Sequence, residues 1–287
     1  MKTAAVIPAG PADDVRRADS ATRAALAEAI GRSAELWRRV DNPSASAPGL
    51  AWTVSQTAAH VVGDLREYTE ALSNYVNGRH VSSEVPDELP WRLRKAVNAH
   101  HLTVVPERDL RRLADMLEDT AVRYLAAAAT IDAYDPAAIA TADGLVLEPA
   151  FMTCLLLGEQ LIHGLDIARG ARQPWSISHE DALLVLPAVL ALAPKYLRPD
   201  RSRGVHVSFE LRMRGGPRYR LAVDDGTGVV GAAGERADCV ITADPVAFLL
   251  VGYGRIPQWS QILRGKLRAG GRKPWLAAKF GTLLASP

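Results

Sequence analysis

Cysteine is scarce in this chain. Only Cys154 and Cys239 occur among 287 residues, both in apolar surroundings, so a disulfide framework is excluded and a reducing compartment is the natural setting. Charge of one sign is also lacking: 34 basic residues against 32 acidic ones leave a net charge of +2, no basis for a nucleic-acid or anionic-membrane partner. No apolar run reaches the ~20 residues expected of a bilayer-spanning helix. The opening Met1-Lys-Thr-Ala-Ala-Val-Ile-Pro8 resembles the start of an export signal, but Pro8, Gly10 and Asp13 end its apolar part early. Residues 1–19 are therefore expected to be a loose leader and the protein cytoplasmic. Aromatics are sparse at 6%, yet a hydrophobic fraction of 48% supplies a substantial core for one large domain or two ordinary ones.

The stretch that organises the rest runs from Pro149 to about Arg169. Met152, Leu155, Leu156, Ile162 and Ile167 recur with a helical period. Glu159 and His163 stand four residues apart, so their side chains leave the helix on one side, one turn from each other. They fall inside the apolar stripe, where an ionisable pair costs several kcal/mol unless compensated. A bound metal ion is one compensation and a buried hydrogen-bonded pair is the other. Cys154, five residues before Glu159, points away from that face.

A first helix is expected over residues 20–40, followed by a loop at 42–49. A second opens at Trp52, where Thr53 and Gln56 form a capping-box pattern and Val54, Ala58, Val61, Leu65, Tyr68 and Leu72 make the stripe. His60 stands at the edge of that stripe with Asp64 one turn on. Further helices are expected over 91–101, 107–131 and, capped by Ser178, up to Pro194. After Pro199 the pattern alternates. Val205–Met213 and Arg218–Val223 read as a hairpin, 238–243 as a short buried strand, and Asp244-Pro245 as a helix start. Residues 263–271 read as an edge strand with guarding charges (Arg264, Lys266, Arg268, Arg272, Lys273), and 274–284 as a last helix. His80, His100, His101, His179 and His206 read as surface residues.

An antiparallel bundle can bring His60 to Glu159 and His163. Two imidazoles and a carboxylate suit zinc with a position left open. The competing arrangement leaves His60 partly exposed, with Asp64 as its i+4 partner.

Trp52-Thr-Val-Ser-Gln-Thr-Ala-Ala-His60-Val-Val-Gly-Asp64 resembles the second-helix motif of the DinB-like family, and more narrowly of the mycothiol-dependent maleylpyruvate isomerase family. Gly158-Glu159-Gln-Leu-Ile-His163-Gly-Leu-Asp166 is similar to that family's second motif. Residues 238–250 followed by 263–271 are similar to sterol-carrier-type domains, which commonly follow the metal bundle in such isomerases. The resemblance covers roughly residues 20–284. It implies an α plus α+β fold: a DinB-like four-helix bundle over 20–198 and a small sterol-carrier-type α+β domain over 199–287.

The same resemblance assigns His60, Glu159 and His163 to a divalent metal, usually zinc, and mycothiol as thiol cosubstrate. It puts the family's active-site arginine at Arg255, in Val251-Gly-Tyr-Gly-Arg255. The implied protein is an actinobacterial-style isomerase or S-transferase that holds a thiolate and presents it to a small electrophile, carboxylates among them. Arg255 would anchor the acid, and Asp166 and Asp64 would orient the metal histidines. A bundle with a cap domain can stand as a monomer. Two other classes stay open: a lipid or hydrophobic-ligand binder that uses the C-terminal domain, and a metal site without turnover that sequesters thiols.

Overall fold

The computed structural model describes residues 10–79 and 88–286. The described residues divide into two compact units, one of residues 16–79 with 88–177 and one of residues 10–15 with 178–286. The boundary thus falls after Ile177, not at 198/199 as the change in texture predicts.

In chain order the first unit holds α1 (Pro11–Arg17, which begins in the other unit), α2 (Asp19–Arg38), α3 (Val54–Val76), α4 (Pro90–Val104) and α5 (Leu110–Ala128). A small antiparallel ladder, β1 (Ile139–Ala140) with β2 (Val146–Leu147), precedes α6 (Pro149–Ala171). Helices α2 and α3 each pack against both α5 and α6, and α4 lies against α3. The helix starts follow local chemistry. Thr53 accepts from the Gln56 N–H while the Gln56 side chain accepts from the Thr53 N–H, the expected capping box. Asp109 caps α5, and Pro149 occupies the first turn of α6, where a missing N–H costs nothing.

Helix α6 is apolar nearly all round, with Phe151, Met152, Leu156, Leu157, Leu161, Ile162 and Ile167 buried. By length and composition alone it is long and apolar enough to cross a membrane, but most of it is buried within the protein. A helix apolar on every side belongs at the centre of its unit. Cys154, on α6, is free and fully buried, and burial pushes its thiol up to about 12. Cys239 is also free and buried, its thiol raised by burial. Neither is a reactive thiolate.

The second unit begins with α7 (His179–Leu192), capped by Ser178 as predicted. Then come α8 (Pro199–Ser202), β3 (His206–Met213), β4 (Arg218–Asp224), β5 (Thr227–Ala232) and β6 (Cys239–Ala243). The chain ends with α9 (Pro245–Gly252), α10 (Gln258–Leu263), β7 (Leu267–Gly270) and α11 (Ala277–Leu283). The sheet order is β5-β4-β3-β6-β7, antiparallel throughout except for the β3–β6 pair. Val207, Phe209, Leu211 and Met213 of β3 are buried, as are Tyr219, Leu221 and Val223 of β4, the period-two pattern of a half-covered sheet.

Helix α7 packs on α9 and β5, and that packing moves the boundary: its Leu and Val side chains cover this sheet unit. The N-terminal residues that are described also belong here. Gly10 sits so close to Ala232 that a Cβ would meet its backbone nitrogen at 2.5 Å, and its φ of +101° suits only glycine. Tyr219 donates to Asp14 at 2.6 Å. The loose-leader expectation is therefore corrected for residues 10–17, and residues 1–9 lie outside the described residues. Strand β7 forms one sheet edge with Arg268 exposed, and Asp238 pairs with Arg272 and Lys273 nearby. His206 is exposed and pairs with Asp224 across β3 and β4, as its alternation predicts.

Candidate metal centre

The site is built on two helices of the first unit. His60 lies two turns into α3 and is buried with 4% of its surface exposed, not partly exposed with Asp64 as partner. Glu159 and His163 project from α6 one turn apart, and His163 Nε2 is 3.1 Å from Glu159 Oε2. His60 Nε2 approaches the same carboxylate oxygen at 3.6 Å. One ligating atom from each of these three residues lies within 4.8 Å of the others.

Each imidazole is held from behind. His163 Nδ1 is 3.1 Å from Asp166 Oδ2, and Asp166 is wholly buried. His60 Nδ1 faces not Asp64 but His101 Nδ1 at 3.1 Å, and His101 Nε2 is 3.0 Å from Glu67 Oε2. The other Glu67 oxygen accepts from the Ala142 N–H at 2.8 Å, between β1 and β2. The Trp52 ring lies 5.0 Å from that of His60 and covers part of it.

Arg94 of α4 reaches Glu159 Oε1 at 3.8 Å and Asp143 Oδ2 at 3.6 Å. Burial, and then the neighbouring charges of Glu159 and Glu67, raise the Asp64 carboxyl well above the usual carboxylate range.

These surroundings set the protonation pattern. Burial pulls His60 down to about 4, against the pull of the nearby Glu159 carboxylate. Burial also disfavours charge on His163, but hydrogen bonds to Asp166 and Glu159 outweigh it and raise that histidine to about 9. Glu159, despite burial, is held well below the carboxylate range by His163 and His60. At neutral pH the metal-free site thus holds a neutral His60, an ionised Glu159 and a protonated His163.

His101 corrects the sequence expectation: it is 1% exposed, whereas His100 beside it is exposed. His179 is half-buried, and His80 lies outside the described residues. Helix α4 buries only Pro90 and His101, so it carries no apolar period that would have marked His101 as interior. A signal did exist in α3: a Cβ on Gly63 would meet His101 Cβ at 2.7 Å, so a glycine inside a helix marks where another chain segment comes close.

Arg255 belongs to the other unit, three residues beyond the end of α9. Its guanidinium donates to the Tyr253 carbonyl at 2.7 Å.

No family model matches the chain, and no curated protein does. The fold is that of a helical and sheet protein already seen in solved structures. It is similar to crystal structures of mycothiol-dependent maleylpyruvate isomerase. One, a mutant with a histidine replaced by alanine, has a TM-score of 0.54 and 15% identity over 88% of this chain and 92% of that one. Another has a TM-score of 0.51 and 17% identity over the same shares, 88% and 92%. At these identities the likeness is one of fold. Sterol Carrier Protein 2 from Yarrowia lipolytica aligns with a TM-score of only 0.21, at 20% identity over 25% of this chain and 65% of that one, and carries no argument.

Proposed function

We propose that this protein is a metal- and thiol-dependent isomerase or S-transferase acting on a small electrophile. The observation that carries the reading is the convergence of His60, Glu159 and His163 on one point. Tetrahedral zinc with bonds of about 2.0–2.1 Å spaces its ligand atoms about 3.3 Å apart. The 3.1 and 3.6 Å separations from Glu159 Oε2 to the two Nε2 atoms bracket that spacing. Two imidazoles and one carboxylate also leave room for an outside ligand, the pattern of a catalytic rather than a structural site. Bound there, a zinc ion supplies the Lewis acidity that keeps a thiol ionised at neutral pH.

The chain's own residues do the rest. Glu159 contributes the negative charge, and Asp166 holds the Nδ1–H of His163 so that Nε2 faces the site. Trp52 packs its ring against that of His60. In an isomerisation the sulfur adds to a conjugated double bond, the resulting single bond rotates, and the thiol is expelled unchanged. In a transferase the adduct is the product. Arg255 is assigned to anchor a substrate carboxylate and steady the enolate formed on addition. Mycothiol is the proposed thiol, and maleylpyruvate the first substrate to try, on the strength of the two similar structures.

The test is a turnover assay of zinc-loaded protein with maleylpyruvate, with mycothiol or glutathione added. Thiol-stimulated isomerisation or adduct formation that Glu159→Ala abolishes supports the proposal. Metal-loaded protein inert toward maleylpyruvate and a panel of conjugated electrophiles would refute it.

A second reading has an observation of its own. The second unit holds a partly open apolar pocket of about 380 Å³ among Leu186, Leu190, Ile241, Phe248, Leu267 and Phe280. That is the size of a small-ligand pocket. A hydrophobic-ligand binder is the alternative, and displacement of a fluorescent fatty acyl probe measures it.

A further inference from the structure

The groups behind His60 fix more than its position. Glu67 Oε1 accepts from the Ala142 N–H, and Glu67 Oε2 is 3.0 Å from His101 Nε2. His101 Nδ1 is 3.1 Å from His60 Nδ1, and His60 Nε2 faces the metal point. An ionised carboxylate can only accept, so the hydrogen of His101 sits on Nε2. A neutral imidazole has one N–H, so His101 Nδ1 is then a lone pair. Two facing nitrogens need one donor between them, and His60 Nδ1 must supply it. That leaves the Nε2 lone pair of His60 free to bind a cation.

We propose that Glu67 and His101 are positioning residues that lock His60 in its Nδ1–H tautomer, an assignment that rests on His60 being a metal ligand. The pattern matches His163, whose Nδ1 faces Asp166 directly. For His60 the carboxylate acts through one intervening imidazole, and Gly63 is what lets that imidazole in.

The geometry makes Glu67 irreplaceable by its isostere. Two donors converge on it, the Ala142 N–H and the His101 Nε2–H. Glutamine offers one acceptor oxygen. With that oxygen kept on Ala142, its amide N–H₂ faces His101 Nε2, which must then accept. The hydrogen of His101 moves to Nδ1, His60 must accept through its own Nδ1, and its hydrogen is left on Nε2, where the metal belongs. Shape is conserved while both tautomers invert. His101→Gln does the opposite. Its amide can donate to Glu67 and accept from His60, reproducing the polarity of the imidazole, whereas His101→Leu cannot.

The test has two readouts. Nitrogen-15 NMR of the metal-free full-length protein reports which ring nitrogen of His60 carries hydrogen. Competition with a chromophoric chelator reports zinc affinity. Expected are an Nδ1–H His60 in the wild type, inversion in Glu67→Gln, and zinc affinity lowered about 10–100-fold in Glu67→Gln and His101→Leu. His101→Gln should recover most of that affinity. An Nε2–H His60 in the metal-free wild type overturns the proposal, as does wild-type zinc affinity in both Glu67→Gln and His101→Leu. If the wild type bound no zinc at all, the metal reading would fail instead, and the NMR readout would still decide the tautomer.

Discussion

Gly63→Ala sets two effects of known sign against each other. Alanine replaces glycine inside α3, which by helix propensity alone should stabilise the protein by about 1 kcal/mol. The new Cβ, however, would stand 2.7 Å from His101 Cβ, 3.0 Å from its Cγ and 3.1 Å from its Cα. These are atoms at the root of a side chain on a packed helix, so α4 must withdraw by about 0.7 Å to restore an ordinary contact near 3.4 Å. Overpacking of this kind costs about 1–3 kcal/mol, so the net change should be a loss of roughly 0–2 kcal/mol.

The same withdrawal opens the His101–His60 separation from 3.1 Å to about 3.8 Å, beyond hydrogen-bonding reach. Zinc affinity should then fall about 10–100-fold although neither ligand nor charge has been touched. Urea unfolding of the metal-free protein gives the first quantity and chelator competition the second. A variant stabilised by the full propensity gain, with wild-type zinc affinity, would show that α4 does not press on α3 as described.

Four further outcomes are expected. Zinc loading at pH 7 should release about one proton, from His163 raised to about 9, and none from His60, already neutral at about 4. Calorimetry in buffers of differing ionisation enthalpy counts it, and a count of zero would contradict the protonation pattern. By the same linkage, the raised His163 stabilises the metal-free protein fully below its ordinary value of 6.5, and that contribution is lost as pH rises through about 9. A melting temperature that did not fall between pH 7 and 10 would count against it. Gln160 is buried with both side-chain polar atoms unpartnered, so Gln160→Met should be neutral or stabilise by about 1–3 kcal/mol; marked destabilisation would mean that the amide is satisfied. Arg255→Ala should leave zinc content unchanged and raise KM for acidic substrates, and unaltered kinetics would remove its assigned role.

The elements legible in the sequence were those governed by local chemistry. Thr53 with Gln56, Ser178 and Asp244 all start helices in the structure. The one-turn spacing of Glu159 and His163 needed only the helical period. Strand β5 escaped because Gly228 and Gly231 interrupt its alternation, and its pairing with β4 is a tertiary fact. Helix α10, six residues with Trp259 and Leu263 exposed, has no apolar face to read. The unit boundary was misplaced because α7 has the composition of a bundle helix; only its packing on β5 and α9 shows which core it serves. His101 is the most instructive miss. Its burial is imposed by a glycine 38 residues earlier and a carboxylate 34 residues earlier, on another helix. Such a contact leaves no periodic trace in the residues around it.

The most direct test of the metal centre is plasma-emission analysis of purified wild-type protein beside Glu159→Ala and His163→Ala. The account predicts one divalent ion per chain in the wild type and none in either variant. A wild type without metal after zinc loading, or variants that keep a full equivalent, would contradict it.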